Sequence, residues 1–533
     1  MPACIGCHVA MFCGLLFGAG PAPDLAETTA QLDLAIEAKW LERGIVAEGL
    51  ADDATFLRRV WLDLAGRVPS ALVVREFLDD RRADKRVRLV ANLLASEDFA
   101  EHWARAWSIR LTEKRPIRHA VHDGHVLQMY LRDGLMNSKS YRQFTTELIC
   151  GDGAGDASGP ANFLLRYDAR PEPLAGAVGK HFLGTTLQCA QCHDHVFAPW
   201  KQEDFRGLAA FFGRLKMMTS DDGNLHAVVE SRRGEFQIIE PGAKPGNDGT
   251  IPMTTVVPRL PATGMSSLLM QKPRRQRLAE WVTASDNPWF ARHAVNSTWR
   301  ELFGTPLVAA LDDPAAAAKS DHGAVLDLLA RDFVAGDFDL KRLIRGIVLS
   351  RAYQRAAGAA SADRRAPPAT DLDVEKARLD KLQWLAVFPV RSLTVDQLYY
   401  SINQATGNRS SEEAVVEGST ANESLDADDE EYSDRPVEAL GEYEVGMQRA
   451  LALLNSPFAH EAVQSGARIA ATMHGSRIGR AHVEWLFLAT LARPPTKVEL
   501  KEMLELVRGD RGTKGLEDVL WVLLNSAEFN TNH

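Results

Sequence analysis

The sequence predicts a mainly α-helical protein: two helical domains joined by a small β-containing insertion. Three observations lead there. Apolar residues recur at helical spacing through most of residues 28–215 and 273–533. Residues 216–272 instead hold short β-rich runs between turn signals. The chain is 533 residues long, too long for one ordinary core. Hydrophobic content of 45% with 25% charged residues describes a soluble globular chain. Acidic residues outnumber basic ones 71 to 61, for a net charge of −10, which argues against a nucleic-acid partner. No interior run reaches the length of a membrane span, so none is expected in the mature chain.

Residues 1–23 read as a leader. Val9 to Gly20 is a short apolar run followed by Pro21-Ala22-Pro23, the pattern of a secretory signal and its cleavage zone, although no Lys or Arg precedes it. Export to the periplasm or cell surface is the expectation. Thr28 to Gly49 reads as a first amphipathic helix. In the next, Phe56, Val60, Trp61 and Leu64 share one face, Asp52 and Asp53 stand at its N-terminus, and Gly66 follows as its stop. Pro69-Ser70 opens a third helix. Asp84 to Ala95, Phe99 to Leu111, Leu127 to Leu135 and Tyr141 to Ile149 continue the series. Gly151 to Ala161 is glycine-rich without phosphate-loop spacing and reads as a surface loop. Pro173 to Leu187 reads as a helix leading into a cysteine motif, and Glu203 to Arg214 as a helix leaving it. His226 to Ile239 reads as a β-hairpin about Arg233-Gly234. Beyond it, Arg275 to Thr283, Trp289 to Phe303, Ala324 to Val334 and Leu340 to Tyr353 are helical. Ser350 to Asp371 is linker-like, and Thr394 caps a helix to Thr406. Residues 410–434 are acidic, poor in apolar residues and expected to be disordered. Helices resume from Gly446 to Phe529, broken at Ser456-Pro457 and Pro494-Pro495.

The chemistry concentrates in Leu187-Gln-Cys-Ala-Gln-Cys-His-Asp-His195. Cys-x-x-Cys-His is the attachment pattern of a c-type haem. Cys189 and Cys192 would carry the thioether bonds of one haem c per chain, and His193 would bind the iron from one face. His195 cannot bracket the same flat ring from two residues away, because positions i and i+2 of a helix point to different faces. His195 and Asp194 are therefore read as residues beside the site. Met217 or Met218 is the candidate for the iron's sixth position, with His181 and the cluster His119, His122, His125 as further candidates. Phe182, Phe197, Trp200, Phe205, Phe211 and Phe212 surround the motif, as haem cover or as plain core. A second Cys-x-x-Cys-His, Cys4 to His8, reads as part of the removed leader. Cys150 reads as a small buried hydrophobe. Three other roles stay open for the central cysteines: a dithiol redox pair, a disulfide, or zinc, for which Cys189, Cys192 and His193 or His195 supply three of four ligands. No Ser-His-Asp arrangement or carboxylate pair can be assigned from spacing, so catalytic residues are unknown.

Several stretches resemble the planctomycete cytochrome-type proteins, in which a PSCyt-type domain precedes a PSD-type domain, both of unknown function. Phe56-Leu-Arg-Arg-Val-Trp-Leu-Asp-Leu-Ala-Gly-Arg-Val-Pro69 and Phe182 to His195, with Gln202 to Phe212, resemble the first domain. Asp286-Asn-Pro-Trp-Phe-Ala-Arg292, Leu340 to Ile344, Ser350-Arg-Ala-Tyr-Gln354 and Leu524 to Phe529 resemble the second. The resemblance implies an exported protein with a haem-type motif, associated with polysaccharide- or sulfatase-rich systems. Three departures accompany it: Val196 in place of proline, Ser297 in place of arginine after Asn296, and a short alanine-rich loop after Asp312-Asp313. The expected function is that of an exported haem-binding redox protein, in electron transfer or haem-dependent catalysis, with a redox partner protein. Two other classes compete. One is a carbohydrate-linked enzyme or binding module with a zinc or disulfide site. The other is a cell-surface interaction protein tethered by residues 410–434.

Overall fold

The computed structural model describes residues 24–113, 125–196, 198–221, 225–240, 243–245, 247, 250–261, 272–357, 371–407, 457–473, 478–508 and 512–533. The expectations for the leader with Cys4, Cys7 and His8, for His119, His122 and Phe197, and for the acidic stretch 410–434 fall outside these residues.

The fold is mainly α. Seven helices come first: α1 (Leu25–Arg43), α2 (Asp53–Ala65), α3 (Ala71–Asp79), α4 (Lys85–Leu94), α5 (Glu97–Thr112), α6 (His125–Met136) and α7 (Tyr141–Cys150). Strand β1 (Gly153–Ala154), α8 (Gly159–Leu165) and α9 (Pro171–Val178) follow. After the motif come α10 (Gln202–Ala209), β2 (Leu215–Thr219), β3 (His226–Glu230), β4 (Phe236–Ile239) and β5 (Met253–Val256). The next helices are α11 (Arg274–Val282), α12 (Phe290–Phe303), α13 (Pro314–Ala318), α14 (Gly323–Ala335), α15 (Leu340–Val348) and α16 (Asp371–Gln383). Strand β6 (Arg391–Ser392) precedes α17 (Val395–Thr406), α18 (Pro457–Met473), α19 (Arg480–Leu491), α20 (Lys497–Leu506), α21 (Gly512–Leu524), α22 (Ala527–Asn530) and β7 (Thr531–Asn532).

Local chemistry sets the helix starts. The Asp52 side chain accepts from Thr55 N, and Gly66 ends α2 in the left-handed region. Thr394 and Gln397 form a reciprocal capping box at the start of α17. None of the described helices is long and apolar enough to cross a membrane.

The expected hairpin from His226 to Ile239 does not form. Strand β3 lies between β1 and β2 in a three-stranded antiparallel sheet, while β4 pairs with β5 in a separate one. The chain before β3 explains this. Ser220 N donates to the Leu225 carbonyl at 2.8 Å where β2 comes alongside β3, and buried Val228 pairs with Gly153 on one side and Met217 on the other. With both edges of β3 used, Phe236–Ile239 takes another partner. The glycine-rich stretch after Cys150 is likewise not all loop: it supplies β1 and opens α8.

One apolar core runs from Leu32 to Ala492 and includes residues from both sides of the β-containing junction. A second cluster joins Leu62 and Val68 to residues from Leu393 to Phe529. Helix α1 packs on α14 and α15, where Thr28 Oγ1 donates to Asp332 at 2.8 Å, and Trp40 Nε1 donates to the Trp384 carbonyl at 2.6 Å.

The tightest join is polar. Asp63 on α2 is buried and accepts from Tyr353 Oη at 2.6 Å, from an Arg391 Nη at 2.7 Å and from Asn532 Nδ2 at 2.7 Å. Its neighbour Arg59 donates to the carbonyls of Tyr353, Arg355 and His533, and Arg58 donates to those of Thr490 and Phe529. Burial lowers both guanidinium groups to about 10, which still leaves them charged at neutral pH.

Candidate functional site

The cysteine motif sits on a short turn held by its neighbours. Helix α9 does not run on into it, as the periodicity predicts. It passes into a single π-turn, Gly179–Leu183, and Gly184 at φ +67° breaks the chain direction. The ring of His293 occupies the space where a β-carbon on Gly184 would stand, 2.4 Å from its Nδ1. A 3₁₀ turn over Leu187–Gln191 then carries Cys189 and leads to Cys192. Buried Leu187 packs against Gly179, which has no room for a side chain. Three side chains fasten the turn. Asp312, from beyond the junction, accepts from Thr185 Oγ1 and Thr186 N, both at 2.9 Å. Asp194 accepts from Gln202 N at 2.9 Å, at the first turn of α10, and Gln202 Nε2 returns a bond to the Gln191 carbonyl at 3.1 Å. Asp194 is thus an anchor for the turn.

Cys189 and Cys192 are free thiols, and both are exposed. The two histidines differ in tautomer. His193 is exposed, and its Nδ1 donates to the Asp194 carbonyl at 2.7 Å. A neutral His193 ring therefore presents an unprotonated Nε2, the state a metal ligand needs, with the other nitrogen fixed by a carbonyl. His195 is the reverse: its Nδ1 accepts from Ala198 N at 3.0 Å, so its proton lies on Nε2. The donor set fits covalent attachment through two thiols with one imidazole ligand.

The described aromatics around the motif do not provide a cover. Phe182, Trp200, Phe205, Phe211 and Phe212 are all buried in the protein's own core. Phe182 packs against Phe163, and Trp200 lies 4.7 Å from Trp289 of the second half. Met217 and Met218 lie on β2, which packs on β3, whereas the motif turn packs on α9, the π-turn and α10. Met217 is half-buried against the main core and Met218 is exposed. His181 is buried and engaged with the Tyr167 hydroxyl at 3.0 Å, and His125 is exposed at the start of α6. Cys150 is half-buried, and burial pushes its thiol up to about 11. Among the described residues, no group of three His, Cys, Asp or Glu side chains converges on a point where a metal ion would sit.

Comparison with protein families finds two matches along the chain. Residues 31–217 match the model for PSCyt2, a protein of unknown function (DUF1549), and residues 274–436 match that for PSD1, a protein of unknown function (DUF1553). The chain carries a PSCyt2 segment followed by a PSD1 segment. No curated protein and no solved structure matches. The motif turn belongs to the PSCyt2 segment, yet Asp312, His293 and Trp289, which position it, come from the PSD1 segment. Sequence reasoning missed these three residues, because each acts through a contact more than 80 positions away in the chain.

Proposed function

We propose that this chain is an exported c-type haem protein. Cys189 and Cys192 would form the two thioether bonds, and His193 Nε2 would bind the iron. When bound, the haem supplies one-electron redox chemistry. The observation that carries the reading is the combination of two exposed free thiols with an adjacent imidazole whose Nδ1 is fixed by a carbonyl. The protein's part is positional. Asp194 and Gln202 hold the turn against α10, Asp312 holds the segment entering it, and the Asp194 carbonyl keeps the His193 proton on Nδ1. The described aromatic rings near the motif are committed to the core, while Cys189, Cys192 and His193, which would hold the haem, are all exposed to solvent. That arrangement favours electron exchange with a partner protein over chemistry in a closed pocket. The sixth ligand and the partner are left to experiment, as is the link to polysaccharide-rich systems and to planctomycetes that the sequence resemblance implies.

The test is expression of the full chain with a haem-maturation system, followed by denaturing electrophoresis and haem staining. A stained band lost in Cys189→Ser and Cys192→Ser is expected. Absence of covalent haem from matured protein refutes the proposal, and elemental analysis for zinc in the same sample then decides for the metal-site alternative.

A further inference from the structure

Beside the π-turn that precedes the motif lies a cavity of about 40 Å³ that the haem reading leaves unused. Its wall is shared between the two family segments: Trp107 and Arg110 come from α5, Tyr141 from α7, His181 from the π-turn, and His293 and Ser297 from α12. The π-turn places His181 there, and such single turns often mark functional positions in helices.

Two hydroxyls facing the cavity are loosely engaged. Ser297 Oγ lies 3.4 Å from His293 Nε2, and Tyr141 Oη lies 3.5 Å from the His181 carbonyl; both exceed a firm hydrogen-bond length. Arg110 is the one charged side chain in the wall, and its pairing with Glu301 goes through a single Nη. A guanidinium has five N–H donors, so others stay available. Burial lowers His181 to about 4 and His293 to about 3, so neither imidazole adds charge at neutral pH. The hydroxyls of Thr145 and Thr298 are committed to helix carbonyls, and the aromatic part of the wall is flat: Trp107 packs edge-on against Tyr141 and Phe144, each at 5.6 Å. At roughly 10–15 Å³ per water-sized sphere, the cavity has room for about three or four non-hydrogen atoms.

We propose that this cavity binds a small planar oxyanion, a carboxylate or an isostere of one, held by the Arg110 guanidinium with the hydroxyls of Ser297 and Tyr141 as further donors. Formate, acetate, bicarbonate and nitrate share the required size, flatness and charge. Charge-assisted bonds from a fixed guanidinium supply the affinity, and the aromatic walls select a flat ligand. Because His293 also fills the space above Gly184, the occupant would rest against the segment that leads to the cysteine turn.

Titration calorimetry of the full chain with sodium formate, acetate, bicarbonate and nitrate, against chloride at equal ionic strength, tests this, and comparison of the four ranks the ligands. One saturable site per chain is expected for at least one of them, with none for chloride or for acetamide, the neutral isostere of acetate. Ser297→Leu, which fills the cavity, should abolish binding while circular dichroism stays unchanged. Arg110→Gln should weaken it about tenfold or more. If Arg110→Gln does not fold, Ser297→Leu still decides. No saturable binding by any of the four anions overturns the proposal. So does equal affinity for acetamide, or wild-type affinity in Ser297→Leu. All these readings are independent of haem loading.

Discussion

Removing the Asp63 side chain should destabilise both halves of the protein at once. The carboxylate is buried and accepts three hydrogen bonds, at 2.6 to 2.7 Å, from Tyr353, Arg391 and Asn532. In Asp63→Ala two buried neutral donors and one partly buried guanidinium lose their acceptor. An unsatisfied neutral donor costs about 1–3 kcal/mol and a charged one more. Measured losses from breaking a buried ion pair are about 3–5 kcal/mol, since the structure relaxes in part. A loss of about 4 kcal/mol is therefore expected. The assay is urea unfolding of the full chain, followed in parallel by tryptophan fluorescence and far-ultraviolet circular dichroism. Since the three donors lie at positions 353, 391 and 532, both signals should move to lower urea together. The double variant Asp63→Leu/Arg391→Met should recover part of the loss of Asp63→Leu alone, because it leaves no buried charge without a partner. A loss below about 1 kcal/mol for Asp63→Ala, or strictly additive losses in the double variant, would refute the account of this network as a polar clamp.

Three further outcomes follow from the geometry. His181 is buried, and its folded-state value is lowered from 6.5 to about 4, so the unfolded chain binds more protons between those values. Its contribution is complete above pH 6.5 and is lost as pH falls towards 4. Linkage gives a loss of about 2 kcal/mol near pH 5. His181→Gln should accordingly lose less stability on acidification than the parent chain, as read from urea midpoints at about pH 7.5 and about pH 5. Gly184→Ala puts a β-carbon at φ +67°, 2.4 Å from His293 Nδ1, and should cost about 2–3 kcal/mol in a thermal melt. In unmatured protein, maleimide should label exposed Cys189 and Cys192 quickly and Cys150 slowly, because the half-buried Cys150 thiol is pushed up to about 11; mass spectrometry against time reads this.

Local signals made most helices legible. Asp52, Gly66 and Thr394 mark their ends in the sequence because capping needs only residues two to four positions apart. The motif turn was legible for the same reason: attachment chemistry fits within five residues. What escaped depends on distant partners. Helix α2 reads as amphipathic from Phe56, Val60, Trp61 and Leu64 on one face, a pattern that says nothing of Arg58, Arg59 and Asp63. All three are buried, because carbonyls and side chains from positions 353 to 533 surround them. The hairpin reading of His226 to Ile239 failed because a turn signal at Gly234 says nothing about competition from β1 and β2 for the edges of β3. The run from Pro173 to Leu187 has helical composition, yet the helix ends at Gly184, in the left-handed region with His293 packed where a side chain would stand. Aromatic residues near the motif gave no hint of whether they face a ligand or the core. The structure assigns those it describes to the core.

The clamp around Asp63 also imposes an order of events in time. Asp63 and Asn532 lie 469 positions apart, so at about 5–20 residues per second a ribosome makes the second some 25 to 90 s after the first. Until residues 353–391 are made, the charges of Arg58, Arg59 and Asp63 have none of their final partners, and the last partners, the Phe529 and His533 carbonyls and Asn532, arrive only at the end. A nascent chain in that condition has reason to stay open, and one cut near residue 217 would stay so permanently.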